Sequence, residues 1–260
     1  MLRPRITPCL LVHKAGLVKT VGFKVPKYVG DPINAVKIFN EKEADELIVL
    51  DIDATVNNVE PDYRMIANLA AECRMPLCYG GGIKTPEQAK RIVSLGVEKV
   101  AISSAAVENP GLITQIADEI GRQSVVVVLD VKKRMFSKDY DVFTKNARYN
   151  TKRSVFDLAV EAEKLGAGEL VINSIDLDGS MKGYDLTLAE GIRETVSIPI
   201  TILGGAGSLT DLEALIRTCG VVGAAAGSLF VFKGIYKAVL ISYPTLVQRD
   251  ELICSLRHKS

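Results

Sequence analysis

Short runs of branched apolar residues alternate along the chain with longer stretches in which apolar positions recur at helical spacing. The first pattern is that of a buried strand, the second that of an amphipathic helix, so the order predicted is strand, helix, strand, helix around a parallel sheet. Eight strands are expected, at Ile6–Val12, Leu47–Asp51, Leu77–Tyr79, Lys99–Ile102, Ser124–Asp130, Glu169–Asn173, Ile200–Leu203 and Val221–Ala226. Helices are expected between them, among others over Asp31–Lys42, Thr85–Leu95, Pro110–Ile120, Ser154–Leu165 and Ser208–Thr218. Thr85-Pro86 and Asn109-Pro110 each put a capping residue before a proline at the first helical position. Gly96, Gly121, Gly166 and Gly220 stand where helices should stop.

The pattern is also written twice. Glu46-Leu-Ile-Val-Leu-Asp-Ile-Asp53 is echoed 123 positions later by Glu169-Leu-Val-Ile-Asn-Ser-Ile-Asp176. Gly96-Val-Glu-Lys-Val-Ala-Ile-Ser-Ser104 is echoed 124 positions later by Gly220-Val-Val-Gly-Ala-Ala-Ala-Gly-Ser228, and Pro76 ahead of Gly80-Gly-Gly82 by Pro199 ahead of Gly204-Gly205. Four strand–helix units repeated once argue for a closed (β/α)8 TIM barrel, a single domain over 1–260 with half-barrels of about 1–121 and 122–260. An open doubly wound sheet would not account for a four-plus-four repeat. The longest irregular stretch, Val131–Thr151, contains Tyr140-Asp-Val-Phe-Thr144 and is expected to form a small hairpin beside the site.

In such barrels the chemistry sits at the C-terminal ends of the strands. That rule selects Leu11, Asp51, Gly81, Gly82, Ser103, Ser104, Asp130, Asn173, Asp176, Asp178, Gly205, Gly227 and Ser228. Small residues leading into a helix suit phosphate, because backbone N–H groups approach closely and the helix dipole favours an anion. Four strand ends have this character, in symmetric positions, which predicts a ligand with a phosphate at each end; the plainer reading is that Gly and Ser fill turns. Asp130 closes the most apolar strand, Val125-Val-Val-Val-Leu129, where a carboxylate acquires a raised pKa and can act as general acid or base. Its alternative is a loop cap or a pair with Lys132 or Lys133. The copies diverge here: Pro8-Cys-Leu-Leu-Val-His-Lys14 aligns with Val127-Val-Leu-Asp-Val-Lys-Lys133, so Leu11 stands opposite Asp130. Asp51 and Asp53 read as acids that orient loops, and Asp176 as a turn residue. At the other end of the barrel, Arg5, Glu46, Lys99 and Glu169 begin or precede strands and could close into a ring of charge, which on general grounds concerns stability.

A formal net charge of +1 over 260 residues leaves no basic footprint for nucleic acid and no polybasic membrane patch. No apolar run is long enough to span a bilayer. The five cysteines lack close pairing or CxxC spacing and read as reduced thiols of a cytoplasmic protein, and His13 and His258 are too few for a histidine-based metal site. Neither metal nor cofactor is expected.

Several motifs together resemble one family along nearly the whole chain: Arg5-Ile-Thr-Pro-Cys-Leu10, Gly30-Asp-Pro32, Asp45-Glu-Leu-Ile-Val-Leu-Asp-Ile52, Gly80-Gly-Gly-Ile83, Ala105-Ala-Val-Glu-Asn-Pro110, Ser174-Ile-Asp-Leu-Asp-Gly179 and Gly204-Gly-Ala-Gly207. The chain resembles the cyclase subunit (HisF) of imidazole glycerol phosphate synthase, the synthase half of a glutamine amidotransferase in histidine biosynthesis. The resemblance implies a heterodimer with a glutaminase subunit (HisH-like) docked at the barrel bottom, whose ammonia travels through the barrel to a bisphosphorylated substrate at the top. It implies that Gly82, Ser103 and Ser104 form one phosphate site, the two serines replacing the more usual Asn-Thr. Asp178, Gly179, Gly205, Gly227 and Ser228 would form the other. Arg5, Glu46, Lys99 and Glu169 match the ammonia gate, which reverses the structural reading of that ring. Glu98 matches an acid facing the glutaminase, Lys19 a basic residue of the mobile first loop, and Asp130 one of two catalytic aspartates.

The second catalytic aspartate is missing, because its position is Leu11, and the usual Asp-Gly of the first loop is Ala15-Gly16. An apolar side chain transfers no proton, and loss of a general acid or base costs about 10²–10⁴ in rate. Paralogues of the family in bacterial surface-polysaccharide clusters are associated with acetamidino-sugar formation alongside a separate sugar amidotransferase. The reading favoured is therefore a diverged paralogue that conducts ammonia. The alternative is the cyclase itself, making imidazole glycerol phosphate with Asp130, and Asp51 beside it, carrying reduced acid–base work.

Overall fold

The computed structural model of the chain describes residues 3–135, 137 and 139–254; His258 lies outside them. Eight parallel strands form the barrel: β1 (Arg5–His13), β2 (Leu47–Asp51), β3 (Leu77–Gly80), β4 (Lys99–Ile102), β5 (Val125–Lys133), β6 (Glu169–Ser174), β7 (Ile200–Leu203) and β8 (Gly223–Ala226). Each pairs with its neighbour in sequence; β8 returns to β1 through Arg5–Gly223 to Pro8–Ala226, and β5 joins β6 from Val126–Glu169 to Val131–Ser174. The closed (β/α)8 architecture expected from the pattern is what the chain adopts. The repeat is visible in its hydrogen bonds: Leu47 N–H donates to Pro76 and its counterpart Leu170 N–H donates to Pro199, at 2.9 and 3.0 Å.

Period-two alternation divides each strand between two cores. On β5, Val125, Val127 and Leu129 pack outward against the helices, while Val126 and Val128 pack inside the barrel with Cys9, Ile48, Cys78, Ala101, Val171, Leu203 and Ala225. The helical layer supplies Val36, Phe39, Ile66, Leu69, Ile92 and Ile116, all essentially inaccessible, and each such burial stabilises by about 1.5–3 kcal/mol.

The helix Pro86–Ser94 starts as expected, with a Thr85/Gln88 capping box and proline in its first turn. Asn109 does not repeat this. A short helix over Ser104–Glu108 ends there, Asn109 N–H donates to Ala105, and the next helix, Gly111–Ile120, begins without a side-chain cap. Gly121, Gly166 and Gly220, all at positive φ, are the C-caps of their helices.

Two strands run on beyond the barrel into ribbons. β5 pairs antiparallel with Tyr140–Thr144, which pairs with Tyr149–Ser154, giving the hairpin anticipated from Val131–Thr151. Its counterpart β1 pairs with Gly16–Val21, which pairs with Lys24–Gly30. These two strands are not among those that the apolar pattern predicts.

Candidate functional site

A cavity of about 500 Å³ opens at the C-terminal ends of the strands, and every top-face candidate named above except Asp176 lines it. Asp176 stays outside, an exposed acid that accepts from Lys133 N–H at 3.2 Å. Gly80–Gly82 with Ser103-Ser104 form one wall, and Gly204-Gly205 with Gly227-Ser228 form another. Glycine is required sterically at two of these points. A Cβ on Gly205 (φ +108°) would lie 2.1 Å from the Gly183 carbonyl oxygen, and one on Gly82 (φ +74°) 2.9 Å from Val59 O. Short helices begin at Ser104 and at Ser228, so first-turn N–H groups without helical partners occur on both sides of one cavity. The Ser104 hydroxyl accepts from Lys145 N–H at 2.9 Å and so also ties the β5 hairpin to this wall.

Asp130 comes from the last inward-facing position of β5. Its Oδ1 accepts from Asn173 Nδ2 at 2.9 Å, and the two residues are cross-strand partners. Burial pushes its carboxyl up to about 7 against the hydrogen bond from Asn173, and the Asp178 charge adds to the rise. The equivalent pair on β1 and β2 is Leu11 with Leu50, and both belong to the apolar interior. One cross-strand pair at the top is thus acidic and polar, and its symmetry mate is hydrocarbon.

Lys19 reaches inward from the first ribbon. Its Nζ donates to Cys9 O at 2.6 Å and lies where a side chain on Gly227 would be. Burial depresses its ammonium pKa, opposed by the neighbouring Cys9 and Asp178. Asp178, which lines the cavity, also latches this ribbon: Oδ2 accepts from Thr20 Oγ1 at 2.6 Å and from Phe23 N–H at 3.0 Å, while its carbonyl accepts from Gly22 N–H. Gly179 must lack a side chain, since a Cβ would meet Thr20 O at 2.1 Å. Asp51 orients its own loop, accepting from Asp53 and Ala54 N–H at 2.8 and 3.1 Å, and burial raises its carboxyl. Sequence reasoning missed Lys84, Lys145 and Arg148, which add cationic groups to the Gly82–Ser104 wall. The signals for them were positional: Lys145 and Arg148 fall in the stretch expected to form the hairpin, and Lys84 directly follows Gly80-Gly-Gly-Ile83.

At the opposite end the four predicted charges do close into a ring. Arg5 contacts Glu169 at 2.6 Å and Glu46 at 3.1 Å; Lys99 contacts Glu46 at 2.6 Å and Glu169 at 2.8 Å. Thr201 Oγ1 donates to Glu169 at 2.6 Å. Burial raises Glu169, but Arg5 and Lys99 reverse this and hold it below its ordinary value. Inside the ring lies the apolar lining, with the Cys9 thiol pushed up to about 11 by burial and Cys78 pushed well up by the same cause, so both are neutral. Thr7, inward on β1 between Arg5 and Cys9, buries a hydroxyl with no hydrogen-bond partner among the described residues. Glu98, beside the ring, is exposed and accepts from Leu77 N–H at 2.7 Å.

No helix among the described residues is long and apolar enough to cross a membrane. The profile of the family described as histidine biosynthesis protein matches residues 5–237. A Vibrio vulnificus protein provisionally named imidazole glycerol phosphate synthase subunit hisF3 is 59% identical over 253 residues, 97% of each chain. The provisionally named subunit hisF2 of Pseudomonas aeruginosa is 55% identical over 96% of this chain and 99% of its own. The imidazole glycerol phosphate synthase subunit HisF of Lactococcus lactis subsp. lactis is 40% identical over 88% of this chain and 89% of its own. With a closed parallel barrel, two Gly/Ser clusters facing one cavity and these relatives along nearly its full length, the chain belongs to the HisF family of histidine biosynthesis proteins.

Proposed function

We propose that this barrel is the ammonia-conducting synthase subunit of a glutamine amidotransferase whose nitrogen goes to acetamidino-sugar formation in surface-polysaccharide biosynthesis. A HisH-like glutaminase would dock beneath the ring, near Glu98, and a separate sugar amidotransferase would take the ammonia. The carrying observation is the contrast between the two ends of the barrel: a complete ion-pair ring under an apolar lining, and a top cavity lined by Asp130 but by Leu11 at its symmetry-related position.

Ammonia is small and neutral, whereas ammonium would have to shed its hydration among Ile48, Val126, Val128 and Val171 at a cost of many kcal/mol. Neutral thiols at Cys9 and Cys78 preserve that selectivity. The ring excludes water and must part to admit a molecule; its charges stay paired because each carboxylate has two cationic partners. At the top, Asp130 with a pKa near neutrality can give or take one proton. Cyclisation in this family draws on a second carboxylate, and Leu11 supplies none. The Gly82–Ser104 and Gly205–Ser228 walls would still hold a bisphosphate, with Lys19, Lys84 and Lys145 countering its charge. The greater identity to the relatives named hisF3 and hisF2 than to the Lactococcus HisF supports a diverged branch.

The test is reconstitution. Glutamine-driven amidination by the sugar amidotransferase should require this barrel and its glutaminase, while amidination driven by ammonium salt should require neither. If glutamine-driven product forms equally well without the barrel, it is not the conduit.

A further inference from the structure

We propose that two exposed ribbons beside the cavity mouth form the docking surface for the ammonia-accepting enzyme, a protein presenting an acidic rim around its acceptor site. The inference rests on the conduit reading, which requires ammonia to leave at the top without meeting bulk water, where it would be protonated and lost as a nucleophile.

The first ribbon, Gly16–Val21 with Lys24–Gly30, reaches the cavity through Lys19, Thr20 and Phe23, yet turns Val21, Val25 (84% exposed) and Tyr28 to solvent. The second, Phe232–Lys233 paired with Ala238–Val239, follows directly on the Ser228–Val231 helix at the mouth. Its turn carries Ile235 and Tyr236, 88% and 90% exposed. Lys27 Nζ lies 5.2 Å from the centroid of the Phe232 ring, which joins the two ribbons into one surface. Single exposed hydrophobics are ordinary, but a group of them on adjoining ribbons at a cavity mouth marks an interaction site.

Charge selects the occupant. Residues 16–30 and 232–241 contain no carboxylate, and Lys24, Lys27, Lys233 and Lys237 are all exposed. The chain's near-zero net charge averages this local excess away. A second copy of the same surface would set lysines against lysines, which disfavours self-association. A lipid surface would offer the ammonia leaving the mouth no acceptor. An acidic protein face with apolar pockets satisfies both the lysines and the exposed aromatic and aliphatic side chains.

The experiment uses the barrel–glutaminase complex and the purified sugar amidotransferase, with Ile235→Asp/Tyr236→Asp and Lys233→Glu/Lys237→Glu as separate double variants. All four residues are solvent-exposed, so thermal stability and glutamine hydrolysis should match the parent. The expected result is at least about a tenfold rise in Kd for the amidotransferase in either variant. Glutamine-driven transfer should fall with it, and transfer driven by ammonium salt should not change. Unchanged Kd and transfer in both variants would overturn the proposal. So would binding of the parent chain to phosphatidylglycerol vesicles, or its dimerisation, lost in these variants while the amidotransferase still binds. Absence of any glutamine-driven transfer in the parent system would instead remove the conduit reading beneath it.

Discussion

Replacing Lys99 by methionine removes one of the two cations from the ring and leaves Glu46 and Glu169 in place. Both carboxylates are nearly inaccessible, 4% and 6% exposed at the side chain, while Lys99 is 18% exposed. Deleting one partner of a buried ion pair costs about 3–5 kcal/mol, because the remaining charge loses its compensation. Arg5 still reaches both carboxylates and Thr201 still donates to Glu169, which puts the expected loss at the lower end, about 3 kcal/mol. For a chain of this size that is a fall in Tm of about 6–12 °C. The loss should depend on pH in a defined sense. Glu169 titrates below its ordinary value in the folded chain, so its stabilising contribution is present above the unfolded pKa and disappears as pH falls through the lower folded value. The gap between parent and Lys99→Met should therefore be full at pH 7 and shrink below about pH 4. Urea unfolding at pH 7 and at pH 4 and below measures both. A gap under about 1 kcal/mol at pH 7, the range of an exposed pair, would refute the buried ring, and a gap of constant size into acid would refute the titration argument.

Three further perturbations address the top and the interior. Asp130 has a raised pKa, so its stabilising contribution is present below its unfolded value and lost as pH rises through about 7; Asp130→Asn should therefore be more stable than the parent at pH 8, by up to about 4 kcal/mol, and gain nothing at pH 4. A carboxyl titration by isotope-edited infrared spectroscopy should find the midpoint near 7, and one near 4 would contradict the burial described. Asp178→Ala removes the acceptor for Thr20 and Phe23, and tryptic cleavage after Lys24 and Lys27 should accelerate about tenfold as the ribbon lifts. Thr7→Val replaces a buried unpaired hydroxyl by a methyl of the same shape and should raise stability by about 1 kcal/mol in thermal unfolding; a decrease would mean that the hydroxyl has a partner in solution.

The barrel was legible because its information is local and repeated. The Val125–Leu129 run, the glycine stops at 121, 166 and 220, and the echo of Glu46–Asp53 in Glu169–Asp176 each restate the same layout. The ring was legible for the same reason, since its members begin or immediately precede four strands. What escaped was set by contacts between distant residues. The ribbon after β1 is rich in Lys and Gly and carries a proline, so its strand character follows from pairing with β1 and from the Asp178 latch rather than from propensity. Asp178 lines the cavity as its strand-end position predicts, but the hydrogen bonds its carboxylate accepts from residues about 155 positions away are encoded by no local pattern. Asn109 failed as a cap because the short helix ahead of it, Ser104–Glu108, claims its backbone. Lys145 and Arg148 line the cavity because they lie in the turn of the β5 hairpin, whereas Lys84 does so because it follows the Gly80–Gly82 strand end.

The central claim, a kept pocket that lacks the cyclase's proton chemistry, is tested most directly by supplying the purified barrel with ammonium salt and the bisphosphorylated substrate of imidazole glycerol phosphate synthase, bypassing any glutaminase. The account predicts measurable binding of the bisphosphate and no cyclised product. Turnover that disappears in Asp130→Asn would contradict it, and would mean that one carboxylate suffices and that Leu11 is tolerated in a working cyclase.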